Sequence, residues 1–208
     1  MSDWISSFIS GASGLGGVFL GAYLTSQREE RAREKEAGKR ATLLVIIVSE
    51  ALDKYGLGCA RIVADDGLSE GQRNEGGFRE AQTLPPTFDP TSFDVDWQSI
   101  PANYTEDVLS LPARMDEVEG RLSDVWMYTA DPPDFDEYFE ERALLYAELG
   151  LFALQTSLYL RSHVKLPTRR IRAWSAETYM TNAQRDIRQK RELRALEGSR
   201  SFSAPDGN

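Results

Sequence analysis

Apolar and polar positions divide the chain sharply near Ser26. From Trp4 to Thr25 there are 22 residues without a charged side chain. As a helix rising 1.5 Å per residue they extend roughly 33 Å, enough to cross the hydrocarbon core of a bilayer. Residues 27–40 are then dominated by charged side chains, with Glu29 and Arg33, and Glu36 and Arg40, four apart in the favourable order. Beyond Arg40 the positions Ala41, Leu44, Val48, Ala51, Tyr55 and Ile62 repeat with helical spacing, and Leu43 to Val48 is apolar all round. No proline interrupts residues 26–64, so the pattern predicts one long helix that begins as a solvated stalk and ends inside a core.

Residues 65–95 turn to Gly, Pro, Asp, Asn and Ser and predict an exposed connection of unusual length. Phe78, Leu84, Phe88, Phe93 and Trp97 are many large apolar residues for such a loop. They pin it to the helical body or offer it to a partner. Asn103 and Glu106 have capping-box spacing, and Tyr104, Val108, Leu111, Met115, Val118, Leu122 and Val125 then repeat at four and three, with Pro112 predicted to kink or restart the helix. Asp134 reads as the cap of a strongly apolar helix over 135–164. Asp136, Glu137, Glu140 and Glu141 near its start suit the helix dipole. Pro167 closes that helix and Thr168 caps a last one, whose apolar face (Ile171, Trp174, Ile187) thins after Met180 toward a basic, solvent-exposed end and a disordered tail.

These elements predict an all-α protein: an N-terminal transmembrane anchor over 1–27 and a charged stalk over 28–40. A cytoplasmic bundle of about four helices over 41–180 contains the long loop 65–95, and a basic extension with its tail fills 181–208. Trp4 and Tyr23 mark the two membrane interfaces. Arg28, Arg31 and Arg33 lead a basic run on one side against Asp3 on the other, which places the amino terminus outside and the remainder in the cytoplasm, as a single pass of the inner membrane. Met1-Ser2-Asp3 lacks the basic start of a secretory signal. A soluble fold with this segment buried is the competing reading, given its five glycines and four serines.

Ser7, Ser10, Gly14, Gly17 and Gly21 recur at three and four and fall on one helix face, with Gly17 and Gly21 forming a GxxxG. Close backbone approach across small residues drives helix pairing in lipid, so a homo-oligomer is expected.

Charge sharpens this picture. The chain carries a formal net charge of −9, but residues 41–164 hold 8 basic and 23 acidic side chains, whereas 165–208 hold 10 and 5. An acidic body makes nucleic acid an unlikely main ligand. Arg169, Arg170, Arg172, Arg185, Arg188, Lys190 and Arg191 form either a solvated face or a surface for an anionic partner such as lipid or an acidic subunit.

Candidate chemistry is sparse. One cysteine and one histidine provide neither a disulfide nor a zinc site. Ser162 and His163, adjacent on a helix, diverge by about 100°. "GASGLGG" lacks the lysine and hydroxyl of a phosphate loop. The residues predict no catalytic constellation, no metal site and no cofactor.

The order of a glycine-rich span, an Arg/Glu stalk, an apolar "LLVIIVSEAL" helix and further helices resembles a loose group of uncharacterised bacterial and phage single-pass membrane proteins. That resemblance implies the same layout and no activity. The expectation is a non-enzymatic, membrane-anchored interaction or scaffold protein with a protein partner. Its alternatives are a membrane-active phage or toxin-like protein assembled through the small-residue helix, and a soluble structural protein.

Overall fold

The computed structural model describes the backbone of residues 3–167 and 175–202, with side chains over 25–167 and 175–197. Among the described residues the chain is all-helical and has no strand. Its elements are α1 (Asp3–Val63), α2 (Ala102–Leu109), α3 (Leu111–Tyr128), α4 (Asp136–His163) and α5 (Ala176–Phe202), with 3-10 turns at Pro90–Ser92 and Trp97–Ser99.

Helix α1 joins the uncharged segment, the charged stalk and the first core helix in one rod of 61 residues. Its buried face begins at Ala41 and continues through Leu44, Val45, Val48, Leu52, Tyr55, Cys59 and Ile62. Leu43, Ile46 and Ile47 instead point outward, so the apolar run enters the core with one side only. Helix α4 packs antiparallel on that face. Ser157, near its end, donates to the Ser49 carbonyl at 3.3 Å, while Arg142, near its start, meets Asp65 just beyond α1.

Gly150 is where three helices converge. A Cβ there would lie 2.7 Å from Cys59 Cβ of α1 and 2.6 Å from Met180 Sδ of α5, so glycine permits a spacing that any side chain would open. Among the described residues α4 is the one helix long and apolar enough to cross a membrane, and 56% of its most apolar window is buried within the fold. Its apolar surface is covered by α1, α3 and α5, as befits a core helix.

Several local expectations change. The Asn103–Glu106 capping box is not made: α2 starts after Pro101 without a side-chain cap. Pro112 does restart the helix, in the first turn of α3 after a break at Ser110. Phe135, not Asp134, stands at the cap of α4, and the Asp134 carboxylate is instead paired with Arg73 at 2.6 Å. The described part of the last helix starts at Ala176, with Ser175 Oγ accepting from the Thr178 amide at 3.3 Å. Thr168, Ile171 and Trp174 lie outside the described residues. Helix α5 does not run free into solvent, since its basic side chains lie against α4.

Candidate functional site

The long connection after α1 is folded, and Asp65 folds it. Its Oδ1 accepts from the Gly67 amide at 3.0 Å, and its Oδ2 accepts from the amides of Gln82 and Thr83 at 2.9 and 2.7 Å. Arg142 of α4 donates to the same carboxylate at 3.0 Å and to the Thr83 carbonyl at 2.6 Å. Burial pushes this carboxyl up, but the Thr83 and Gly67 amides and the Arg142 guanidinium outweigh it and hold the group below its ordinary value. Gly67 has φ +78° and sits against the Phe139 ring, so a Cβ would overlap that ring.

Closing the segment in this way delivers Phe78 and Arg79 to the start of α4. The Phe78 amide donates to Asn74 Oδ1 at 3.0 Å. Arg79 donates from Nε to the Asp66 carbonyl at 2.7 Å and from Nη1 to Asp136 Oδ1 at 2.7 Å, and its guanidinium lies 4.8 Å from the centre of the Phe139 ring.

Trp126, in the last turn of α3, approaches from the other side. Its ring is 4.6 Å from Phe135 and 5.2 Å from Tyr138, the latter edge-on at 77°. Phe78 closes the group at 6.1 Å from Phe135. Phe135 adopts φ 52°, a left-handed conformation rare for a bulky residue. Together these side chains border a recess of about 480 Å³. Trp126 is 50% and Phe78 42% exposed.

The lining of this recess contains no His, Cys, Ser or Thr. Its carboxylate, Glu80, accepts from Asn74 Nδ2 at 3.2 Å, and Arg79 is paired with Asp136. An aromatic concavity with a few fixed polar groups has the kind of lining common in binding pockets.

Beside the recess lies an ionic clamp. Glu140 and Glu141 of α4 are buried, although both read as ordinary dipole-compensating acids. Lys190 reaches Glu140 at 2.9 Å, Arg194 also pairs with Glu140, and Glu141 is held by Arg191 at 2.9 Å and by Arg121 of α3 at 2.5 Å. Burial raises the Glu140 carboxyl, but Lys190 and Arg194 more than reverse this and hold it below its usual value.

Of the other basic residues singled out in the sequence, Arg188 meets Glu148 at 3.4 Å, and Arg185 donates to Asn182 at 2.6 Å. Arg169, Arg170 and Arg172 lie outside the described residues, as do the side chains of Trp4, Ser7, Ser10, Gly14, Gly17, Gly21 and Tyr23. Arg28, Arg31 and Arg33 are exposed on the stalk. His163 contacts the Tyr104 ring at 5.4 Å, and Ser162 donates away from it to the Tyr159 carbonyl at 2.9 Å. Burial pushes the Cys59 thiol up to about 12. Among the described residues no group of His, Cys, Asp and Glu is placed to hold a metal ion.

Both recess and clamp stand at the end of the bundle remote from the uncharged segment. From Ser26 to Val63 a straight α1 measures about 55 Å. Periodicity missed the recess because its members come from three separate elements. One signal was present: Trp126, Met127 and Tyr128 are three consecutive large side chains at a helix end, and Met127 and Tyr128 are exposed. In comparisons with known proteins the chain matches no family model, no curated protein and no solved structure.

Proposed function

We propose that the protein is a non-enzymatic, membrane-anchored interaction protein. Residues 4–25 cross the inner membrane with the amino terminus outside, and the cytoplasmic bundle presents the aromatic recess to a protein partner. The observation that carries this reading is the continuity of α1: an uncharged stretch of 22 residues and a core helix belong to one uninterrupted rod. Between Ser26 and Ala41 that rod extends about 22 Å, so the bundle is held clear of the headgroups and its far end faces the cytosol.

Self-association belongs to the same proposal. Positions 7, 10 and 21 each lie 36 residues before Leu43, Ile46 and Leu57, which is ten turns at 3.6 residues per turn. On a straight helix those three positions keep the azimuth of Leu43, Ile46 and Leu57, while positions 14 and 17 fall in register with Glu50 and Asp53.

The test is fractionation. The full-length chain sediments with membranes and resists alkaline carbonate, because roughly 20 residues buried in hydrocarbon are not displaced by charge. A reporter fused after Asn208 behaves as cytoplasmic. Recovery of the intact chain in the soluble fraction overturns the anchor, and a periplasmic reporter overturns the orientation.

A further inference from the structure

We propose that the recess bordered by Phe78, Trp126, Phe135 and Tyr138 receives a lysine or arginine side chain from a basic segment of a partner protein. The inference rests on the reading of the chain as an interaction protein and supplies the chemistry of its partner.

Charge points to the occupant. The two segments that build the recess, 65–82 and 124–138, contain ten acidic residues and two basic ones. Both basic residues are already paired, Arg73 with Asp134 and Arg79 with Asp136, and Arg142 neutralises Asp65, so seven of the ten acids keep no ion-pair partner among the described residues. An incoming cation thus meets a field that the protein itself leaves negative, which steers association and suppresses acidic competitors.

The aromatic faces supply the local contact. A cation over the face of Trp or Tyr is attracted by the ring quadrupole. The protein uses this chemistry one side chain away, where Arg79 lies 4.8 Å from the centre of the Phe139 ring. The walls are held in advance by the Asp65–Arg142 pair, by the Arg79 bonds to Asp66 and Asp136, and by the turn at Phe135. Little ordering is then left for binding.

Position argues against other polyanionic or lipid ligands. The recess lies about 55 Å along α1 from Ser26, beyond the reach of a headgroup from the membrane that holds the anchor. The seven unpaired carboxylates repel a phosphate backbone. A basic stretch of protein satisfies both conditions.

The experiment uses the full chain in neutral detergent and a fluorescein-labelled octapeptide of alternating lysine and alanine, read by fluorescence anisotropy. Saturable binding is expected, weakened about fivefold by Trp126→Leu and restored by Trp126→Phe, since leucine keeps apolar bulk and phenylalanine keeps the ring face. Tyr138→Leu gives a second, independent loss. Glu106→Gln with Asp107→Asn, on α2 at the other end of the bundle, leaves binding unchanged.

Three results overturn the proposal: no binding, equal binding of an uncharged leucine–serine octapeptide, or binding that ignores Trp126 and Tyr138 but falls with the α2 charges. The last would mean diffuse attraction to an acidic body. None of these bears on carbonate-resistant sedimentation, so the anchor stands or falls separately. If the anchor holds and the peptide fails, the partner is not basic.

Discussion

Asp65 and Arg142, 77 residues apart in sequence, form an ion pair at 3.0 Å with both side chains 3% exposed. The pair ties the end of α1, the loop and the start of α4 into one unit. The Gly67, Gln82 and Thr83 amides also donate to Asp65, and Arg142 donates to the Thr83 carbonyl. These bonds matter, because a buried ion pair offsets its desolvation only when further donors and acceptors around it are satisfied.

Arg142→Met leaves Asp65 charged, buried and short of its strongest partner. The expected destabilisation is about 3–5 kcal/mol in denaturant melts, with faster proteolysis between residues 68 and 82 where the loop comes loose. Adding Asp65→Asn should recover part of the loss, since asparagine removes the uncompensated charge and keeps an oxygen for the loop amides. An unchanged melt in the single variant would show that the pair does not hold the loop.

Gly67→Ala tests the same closure without altering charge. The added methyl meets the Phe139 ring while the backbone is forced to keep φ +78°, a conformation that costs a non-glycine residue about 1–3 kcal/mol. The melt should fall by at least that amount and the anisotropy signal of the recess should weaken with it. Retained stability with a normal recess would mean that the turn relaxes elsewhere.

How far this arrangement could be read from the sequence depended on where each residue's partner lay. The α1 stripe from Ala41 to Ile62 and the restart at Pro112 were legible because helical spacing and proline act within a few residues. Glu140 and Glu141 were not, since local rules assign acids at a helix start to the dipole. Their partners Lys190, Arg191 and Arg194 lie some 50 positions away on another helix. The loop aromatics are placed differently: Phe88 is buried against Tyr55, with ring centres 5.9 Å apart, whereas Phe78 packs on Phe135 and lines the recess. Nothing in their spacing distinguishes them. Small residues on α4 were not legible either, because reading 135–164 as strongly apolar gives no weight to Gly150 and Ser157, which contact α1.

Acid should release α5. Glu140 and Asp65 have carboxyls held below their ordinary values in the folded chain, so the unfolded chain binds their protons more tightly. Each contributes stability that is fully present above the ordinary carboxylate range, near pH 4, and is lost as pH falls through the folded value. Asp53 acts in the opposite sense: burial raises its pKa, so it costs stability at neutral pH and that cost is relieved on acidification. The expected melt is stable from pH 7 to about 5 and falls steeply below about 4. Glu140→Gln flattens that fall and Asp53→Asn steepens it. Identical pH profiles for wild type and Glu140→Gln would remove the clamp from the acid response.

The paired faces of α1 give the last prediction. If two copies associate along the rod, Gly17→Leu with Gly21→Leu should weaken self-association in a membrane two-hybrid assay while membrane insertion is retained, because leucine is more apolar than glycine and only the close backbone approach is lost. On the bundle Leu43 is 58% and Ile46 47% exposed, so Leu43→Lys with Ile46→Lys can keep both charges in solvent and should leave the melt within about 1 kcal/mol of wild type. The same assay should show weaker pairing, since two like-charged side chains per copy would face each other across the proposed contact. The two pairs of substitutions separate the mechanisms. Loss with the glycine pair alone confines association to the bilayer, and loss with the lysine pair alone confines it to the bundle. Loss with both makes α1 one continuous contact surface, and an unchanged signal from both means the rod does not pair through this side.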